Sequence, residues 1–181
     1  GSGLYYTIRD ESKVTRAFID RILWEMQRLC QAALPIEKHN IPTVQAREMF
    51  HDWNMPDKER LFRFRLSART NIYELGQVPD YSYGHMVPNT SYLSVFDIQK
   101  YKSGFVLRFP LPSDPEHLPF FSPVEKLFDV QQEAIEWGRR IEIDTVADLN
   151  MAVVSGKTRE LIFTQEAYHE SRIAQIAGMI A

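Results

Sequence analysis

The sequence predicts an α+β fold, in which an antiparallel sheet with packed helices is followed by an all-helical C-terminal appendage. Apolar and polar residues alternate over 92–98, and a turn at 102–104 leads into an apolar return at 105–109, which together indicate a β-hairpin. Apolar residues spaced three and four apart over 15–33 indicate an amphipathic helix. Beyond a proline-rich connection at 110–123, only helical patterns follow.

The N-terminal part of the chain alternates strand and helix patterns. Residues 4–8 form a short strand candidate, which ends at the polar group 9–12. The helix over 15–33 comes next, and Cys30 beside its apolar stripe is expected to be a small core residue. Residues 36–41 then form a weak strand.

Helices make up most of the remaining pattern. Thr43 is predicted to cap a helix over 44–52, and Asp57 is predicted to cap another that extends to about Leu66. Helix patterns in the tail cover 124–141, a short segment capped by Asp144-Thr145 that extends to 154, and 158–181. The predicted domains are therefore an α+β domain at 4–122 and a helical connector at 123–181.

The composition of the chain argues against several classes of function. The chain has 181 residues with a formal charge of -3, which argues against the basic face that a dominant nucleic-acid interface needs. It holds one cysteine and five histidines, without a Cys-x-x-Cys motif or a histidine pair one helical turn apart, so no metal site is predicted. No membrane-spanning run is present, and we expect a cytoplasmic protein with no membrane contact.

Short polar residues cluster after Gly76, in a segment that the sheet would hold in place. Loops held by a rigid sheet are where binding sites usually form. Tyr73 belongs to a set of tyrosines that line a pocket or fill a core. The candidate pocket consists of Asp80, Ser82, His85, Thr90 and Tyr73.

Two catalytic interpretations compete with a structural one. Ser82 with His85 as base and Asp80 as orienting group would form a triad, but three such residues in one loop seldom do so, and structural hydrogen bonding is favoured. Gly156-Lys157-Thr158 suggests a phosphate loop. That motif requires a glycine where the chain has Met151, so we interpret Gly156 as a helix terminator.

A series of motifs resembles a known family. It consists of Tyr5-Tyr6, a helix, Leu34-Pro35-Ile36-Glu37-Lys38-His39, Ala46, Phe50, Asp57-Lys58, Tyr73-Glu74-Leu75-Gly76 and the run 80–93. Together they resemble the second additional domain of threonyl-tRNA synthetase, which also occurs in alanyl-tRNA synthetase and hydrolyses mischarged tRNA. The resemblance implies the fold of that editing domain for the α+β part.

The ligand loop of that family reads Asp-Leu-Cys-x-Gly-Pro-His-Val-Pro-Ser-Thr, and the chain departs from it where metal is held. The matching positions are Asp80, Gly84, Val87, Pro88 and Thr90. Ser82 stands at the cysteine, Met86 at the histidine and His85 at the proline, while an upstream His-x-x-x-His pair of the family has no counterpart in this chain. A hydroxyl and a thioether do not replace thiolate and imidazole as ligands. Of the loop's functional side chains, only the Asp80 carboxylate is therefore expected to carry over, without the editing metal.

A narrower resemblance covers nearly the whole chain. Its landmarks are 87–93, 104–110, 126–128, 146–150 and 166–177. They are similar to bacterial uridine kinase-like nucleoside kinases, which carry a synthetase-like region ahead of the kinase core. The resemblance implies that ATP, magnesium and the phosphoryl acceptor bind in a kinase domain after Ala181, and that this fragment holds no cofactor.

The leading expectation is a non-catalytic accessory domain of such a kinase, either a sensor of a small ligand or a scaffold. The ligand would be a nucleoside or an amino acid, and tRNA is not expected as a partner. Two alternatives stay open: an editing hydrolase of the threonyl-tRNA synthetase type, and a tail that forms a homo-oligomer.

Overall fold

The structure is a computed structural model that describes residues 3–8 and 10–180. The α+β prediction is confirmed: the described part of the chain holds two three-stranded antiparallel sheets and six α-helices. Arg9 and Ala181, which the sequence analysis assigned to a strand end and to the last helix, lie outside the described residues.

The strands are β1 Gly3–Tyr6, β2 Ile36–Pro42, β3 Arg69–Leu75, β4 Val78–Tyr81, β5 Asp97–Tyr101 and β6 Gly104–Arg108. The helices are α1 Arg16–Gln31, α2 Thr43–Asp52, α3 Pro56–Phe62, α4 Glu125–Arg140, α5 Val146–Val154 and α6 Thr158–Ile180. Two short 3-10 helices lie at Glu11–Lys13 and Thr90–Leu93.

The chain divides into two compact units. The sheet unit comprises the chain up to Ile41 together with Arg69–Pro123, and the helical unit comprises Pro42–Ala68 together with the chain from Val124 onward. This grouping assigns α2 and α3 to the helical unit, whereas the sequence division placed them with the sheet. The domain boundaries at 4–122 and 123–181 stay a prediction.

One sheet of the sheet unit has the strand order β1-β6-β5, and α1 packs against it. The predicted hairpin is confirmed, because β5 and β6 pair antiparallel around Lys102-Ser103. Val14, Ile19, Ile98 and Phe105 form the buried core between helix and sheet. Burial of this apolar surface is the main stabilising term for such a layer.

The predicted helix over 15–33 is also confirmed, within two residues at its end. Thr15 is the N-cap, and its hydroxyl accepts a hydrogen bond of 3.2 Å from the Phe18 amide. Ala33 takes a left-handed conformation with φ 48°, which ends the helix.

The extension of β5 back to Tyr92 was wrong. Residues Thr90–Leu93 form a 3-10 helix, and the strand begins only at Asp97. The Asn89 side chain caps this turn by accepting a hydrogen bond of 3.0 Å from the Ser91 amide. Over so few residues the alternating pattern is compatible with either a strand or a 3-10 helix. The Asn89 cap stabilises the 3-10 helix.

The second sheet has the order β2-β3-β4. Its β3–β4 hairpin, with Leu75 opposite Val78, turns at Gly76 and Gln77 and was not predicted. Gly76 has φ 65°, a conformation that glycine adopts without strain and that a two-residue hairpin turn requires.

In the helical unit, both predicted caps of α2 and α3 were wrong. Thr43 is the first residue of α2, and its hydroxyl donates to the Ser67 carbonyl at 2.5 Å instead of capping the helix. Met55 precedes α3, so Asp57 lies in its first turn, and the helix ends at Phe62. The Phe62 ring packs edge-on against Phe50 at 4.9 Å between ring centroids.

The helix boundaries of the tail follow the local signals. Thr145 and Asp148 form a reciprocal capping box at the start of α5, and Arg60 of α3 pairs with Asp148 at 3.2 Å. The Thr145 hydrogen bonds, with a further contribution from Arg60, lower the pKa of Asp148 below its ordinary value. Gly156, with φ 77°, ends α5, and the Lys157 amide donates to the Ala152 carbonyl at 2.9 Å, as a Schellman motif requires. The interpretation of Gly156 as a helix terminator is therefore confirmed.

Among the described residues, no helix combines the length and apolar character that crossing a bilayer needs.

We predict that Gly104→Ala destabilises the sheet unit. A Cβ atom at Gly104 would lie 2.1 Å from the Tyr6 carbonyl oxygen of the neighbouring strand, so β1 and β6 would have to separate. The expected loss is about 1–3 kcal/mol in the free energy of unfolding, measured by urea denaturation. Gly84→Ala is the matched control, because a Cβ atom there meets nothing within 4 Å. Equal stability of the two variants would contradict the prediction.

Candidate functional site

The segment 80–90, here called the motif loop, begins in β4 and ends at the second 3-10 helix. Its first part is held by Tyr73 of β3, whose side chain is only 6% exposed. The Tyr73 hydroxyl donates a hydrogen bond of 3.1 Å to the Gly84 carbonyl, and Tyr73 lies opposite Asp80 in the strand register. The loop therefore leaves the sheet in a fixed direction.

The other end of the motif loop is attached to the chain that follows α1. The Pro88 carbonyl accepts a hydrogen bond of 2.9 Å from the Ile36 amide. The buried Thr90 hydroxyl donates to the Leu29 carbonyl at 2.6 Å and accepts from the Leu34 amide at 2.9 Å. The Thr90 amide adds a bond of 3.0 Å to the Leu34 carbonyl. Thr90 thus acts as a structural residue at the end of α1.

Two other polar side chains of the loop, those of Asp80 and Ser82, accept hydrogen bonds from nearby backbone amides. The exposed Asp80 carboxylate accepts a hydrogen bond of 2.6 Å from the Tyr81 amide. The Ser82 hydroxyl accepts from the Gly84 amide at 3.2 Å, and the His85 side chain is exposed. Among the described residues no hydrogen bond joins Ser82 to His85, so the geometry does not form the nucleophile and base of a triad.

Four of the five candidate pocket residues have hydrogen-bond or strand partners that place them at two ends of the motif loop. Tyr73, Asp80 and Ser82 lie around the end of the β3–β4 hairpin, whereas Thr90 lies at the end of α1. Thr90 lines an apolar cavity of about 490 Å³ within the sheet unit, and the other four do not. The role of these five residues in binding stays a prediction.

This apolar cavity was not predicted. Its lining residues are Met26, Leu29, Cys30, Leu75, Thr90, Tyr92, Leu93, Val95, Phe96, Leu107, Phe109, Pro110 and Pro115. None of them is charged, and its volume lies in the range of ligand pockets in proteins. The Cys30 thiol donates to the Leu93 carbonyl at 3.3 Å, and burial raises the pKa of that thiol. The available surface is therefore suited to apolar groups.

The two positions where the synthetase pattern has metal ligands do not fit a metal. Ser82 uses its oxygen as the acceptor of a turn hydrogen bond, and Met86 offers an exposed thioether. Neither replaces the thiolate and imidazole that hold zinc. In the described part of the chain, no three or more His, Cys, Asp or Glu side chains are grouped to hold an ion.

Comparison with known proteins finds threonine–tRNA ligases. The chain is 29% identical over 104 residues to that of Campylobacter lari and 30% identical over 104 residues to that of Campylobacter jejuni. It is 30% identical over 98 residues to the ligase of Thermotoga maritima. No protein-family model matches the chain.

The matched region is a small part of these ligases. It covers 58% of this chain but only 17% of either Campylobacter ligase, and 54% and 15% for the Thermotoga ligase. The chain is thus a distant relative of a segment of threonyl-tRNA synthetase, consistent with the resemblance of its motifs.

We predict that Thr90→Val costs more stability than Thr90→Ser. Valine keeps the shape but leaves the Leu29 carbonyl and the Leu34 amide without their buried partner, at about 2 kcal/mol or more. Serine keeps the hydroxyl and loses one methyl group, about 0.8 kcal/mol. Urea denaturation of both variants measures the difference. A serine variant as unstable as the valine variant would show that packing and not hydrogen bonding dominates at this position.

Proposed function

We propose that this chain is a synthetase-like accessory domain that keeps the framework of the editing loop and lacks its metal chemistry. One observation carries the proposal. Of the loop positions that match the family pattern, Gly84, Pro88 and Thr90 make framework contacts. The two positions of the pattern's metal ligands hold Ser82 and Met86.

The framework contacts explain how the loop persists without a metal. Gly84 is held through its carbonyl by Tyr73, Pro88 through its carbonyl by Ile36, and Thr90 through its hydroxyl by the end of α1. None of these contacts involves Ser82 or Met86. A change at the two ligand positions therefore leaves the backbone anchors intact.

The proposal extends to the protein that carries this domain, which we propose is a nucleoside kinase. It rests on the motif resemblance over the whole chain, and the relatives found by comparison bear only on the synthetase-like part. In that setting the domain would serve a kinase domain of the same chain as a scaffold or as a sensor of a nucleoside or an amino acid. ATP and magnesium would bind to the kinase domain.

We predict that the purified chain holds well below one zinc per molecule and does not deacylate mischarged threonine tRNA. The reason is the donor set at Ser82 and Met86, which offers one hydroxyl and one thioether. Elemental analysis of the protein after zinc loading and desalting measures the first outcome. Release of the amino acid from charged tRNA, with Campylobacter jejuni threonine–tRNA ligase as the active reference, measures the second.

A pair of double variants provides the control for the metal arm. Ser82→Cys with Met86→His restores two donors of the family pattern and is expected to raise zinc retention above that of the natural chain. Ser82→Ala with Met86→Leu removes both donors and is expected to leave zinc retention unchanged. Stoichiometric zinc in the natural chain, accompanied by deacylation, would refute the proposal.

The second candidate function is an editing hydrolase of the threonyl-tRNA synthetase type. The observation in its favour is the 27–30% identity to threonine–tRNA ligases, which supports this alternative better than the kinase setting. It requires catalysis without the cysteine and histidine of the family loop. The deacylation assay above decides between the two.

The kinase setting makes a separate prediction about the gene. The coding sequence after Ala181 is expected to encode a glycine-rich loop ending in Gly-Lys-Ser or Gly-Lys-Thr, since the backbone amides of such a loop hold the nucleotide phosphates. Sequencing across that junction tests it. A synthetase catalytic region at this place would instead favour the editing candidate.

A further inference from the structure

The apolar cavity of the sheet unit is open to solvent along part of its wall. Three of its lining residues, Tyr92, Leu93 and Phe109, are 66%, 47% and 39% exposed. The lining side chains that α1 contributes, such as Met26 and Leu29, are half-buried. A small molecule in the solvent can therefore pass the exposed side chains and reach an apolar interior.

The polar side chains in the wall of the cavity leave no place for a charged group. The hydroxyl of Thr90 and the thiol of Cys30 each have a single hydrogen to donate. Thr90 donates it to the Leu29 carbonyl at 2.6 Å, and Cys30 donates to the Leu93 carbonyl at 3.3 Å. Among the described lining residues none is charged, and the third polar one, Tyr92, is exposed enough to keep its hydroxyl in water. A ligand that carries a charge would lose its hydration here without gaining a partner.

The apolar side chains of the wall are rich in aromatic rings and sulfur. The aromatic lining residues are Tyr92, Phe96 and Phe109, and Met26 and Cys30 carry sulfur. Aromatic rings attract each other in offset or edge-on arrangements beyond the gain from burial alone. The thioether of methionine also makes favourable contacts with aromatic rings. This wall therefore favours an aromatic ligand over a purely aliphatic one.

We propose that the apolar cavity is a binding site for an uncharged aromatic small molecule. Its volume of about 490 Å³ is ample for one or two fused rings, because an apolar cavity of about 150 Å³ already binds benzene. An amino acid or a nucleoside does not suit the cavity, since their charged or polar groups find no donors or carboxylates in its wall. The inference goes beyond the proposed function and does not depend on it, because neither Ser82 nor Met86 lines the cavity.

A titration of the 181-residue chain with indole, followed by the NMR signals of its methyl groups, tests the proposal. Indole is uncharged and aromatic, and its ring current is expected to shift the methyl signals of Leu29, Val95 and Leu107, which line the cavity. The methyl signals of Leu66, which is 100% exposed and lies outside the cavity, are expected to stay unchanged. For a ligand of this size we expect a dissociation constant on the order of 1 mM.

Tryptophan and uridine are the matched control ligands. Tryptophan carries the same indole ring with an ammonium and a carboxylate added, and uridine carries a ribose and a polar base. Neither is expected to shift the lining methyl signals at concentrations where indole saturates them, because the wall has no partner for their polar groups.

Two alanine variants test the contribution of the aromatic wall. Phe109→Ala removes a lining ring that is 39% exposed, and is expected to weaken indole binding by about 2- to 10-fold, the equivalent of one aromatic contact. Phe120→Ala removes a ring that is 91% exposed and does not line the cavity, and is expected to bind indole like the natural chain. The methyl signals far from position 109 verify that the fold is kept.

Three results would overturn the proposal. The first is an absence of shifts at the lining methyl groups with several millimolar indole, or equal shifts at Leu66. The second is binding of tryptophan or uridine as tight as that of indole. The third is a shift of the lining signals with protein concentration alone, which would show that another copy of the chain occupies the cavity.

Discussion

The hydroxyl of Thr90 joins two parts of the sheet unit that are distant in sequence. Leu29 lies in the last turn of α1, where carbonyl groups have no partner within the helix. The Thr90 hydroxyl supplies that partner and also accepts the Leu34 amide just beyond the helix, and it does so while only 3% exposed. In such a buried place an unpaired backbone group is costly, so the helix end and the motif loop hold each other in position. The start of the second 3-10 helix, and with it the wall of the apolar cavity, depends on this contact.

This arrangement separates the loop's framework from its chemistry. Tyr73, Ile36 and the end of α1 hold the loop through backbone groups at Gly84 and Pro88 and through Thr90. The Asp80 and Ser82 side chains accept hydrogen bonds from backbone amides one and two residues further along the chain. A metal site is therefore not required to give the loop its course, and the donors at two positions can change without loss of the fold. The same separation explains why a sequence distant from threonyl-tRNA synthetases still follows their loop pattern.

Local signals were sufficient for much of the fold. The cap at Thr15, the reciprocal pair of Thr145 with Asp148 and the left-handed Gly156 each act within a few residues, and each was predictable. The 3-10 helix at Thr90–Leu93 was not, because the alternation there fits a strand until the Asn89 cap is considered. The site was harder still. Thr90 was named as a pocket residue, yet its partners lie 61 and 56 positions away, and no pattern in one loop indicates such contacts.

The apolar cavity could not be predicted from local sequence patterns either. Its wall is assembled from α1, β3, the second 3-10 helix and the proline-rich connection, which lie far apart in the sequence. The loop framework and the apolar cavity therefore share one residue, since Thr90 both lies in the cavity wall and holds the end of the motif loop against α1.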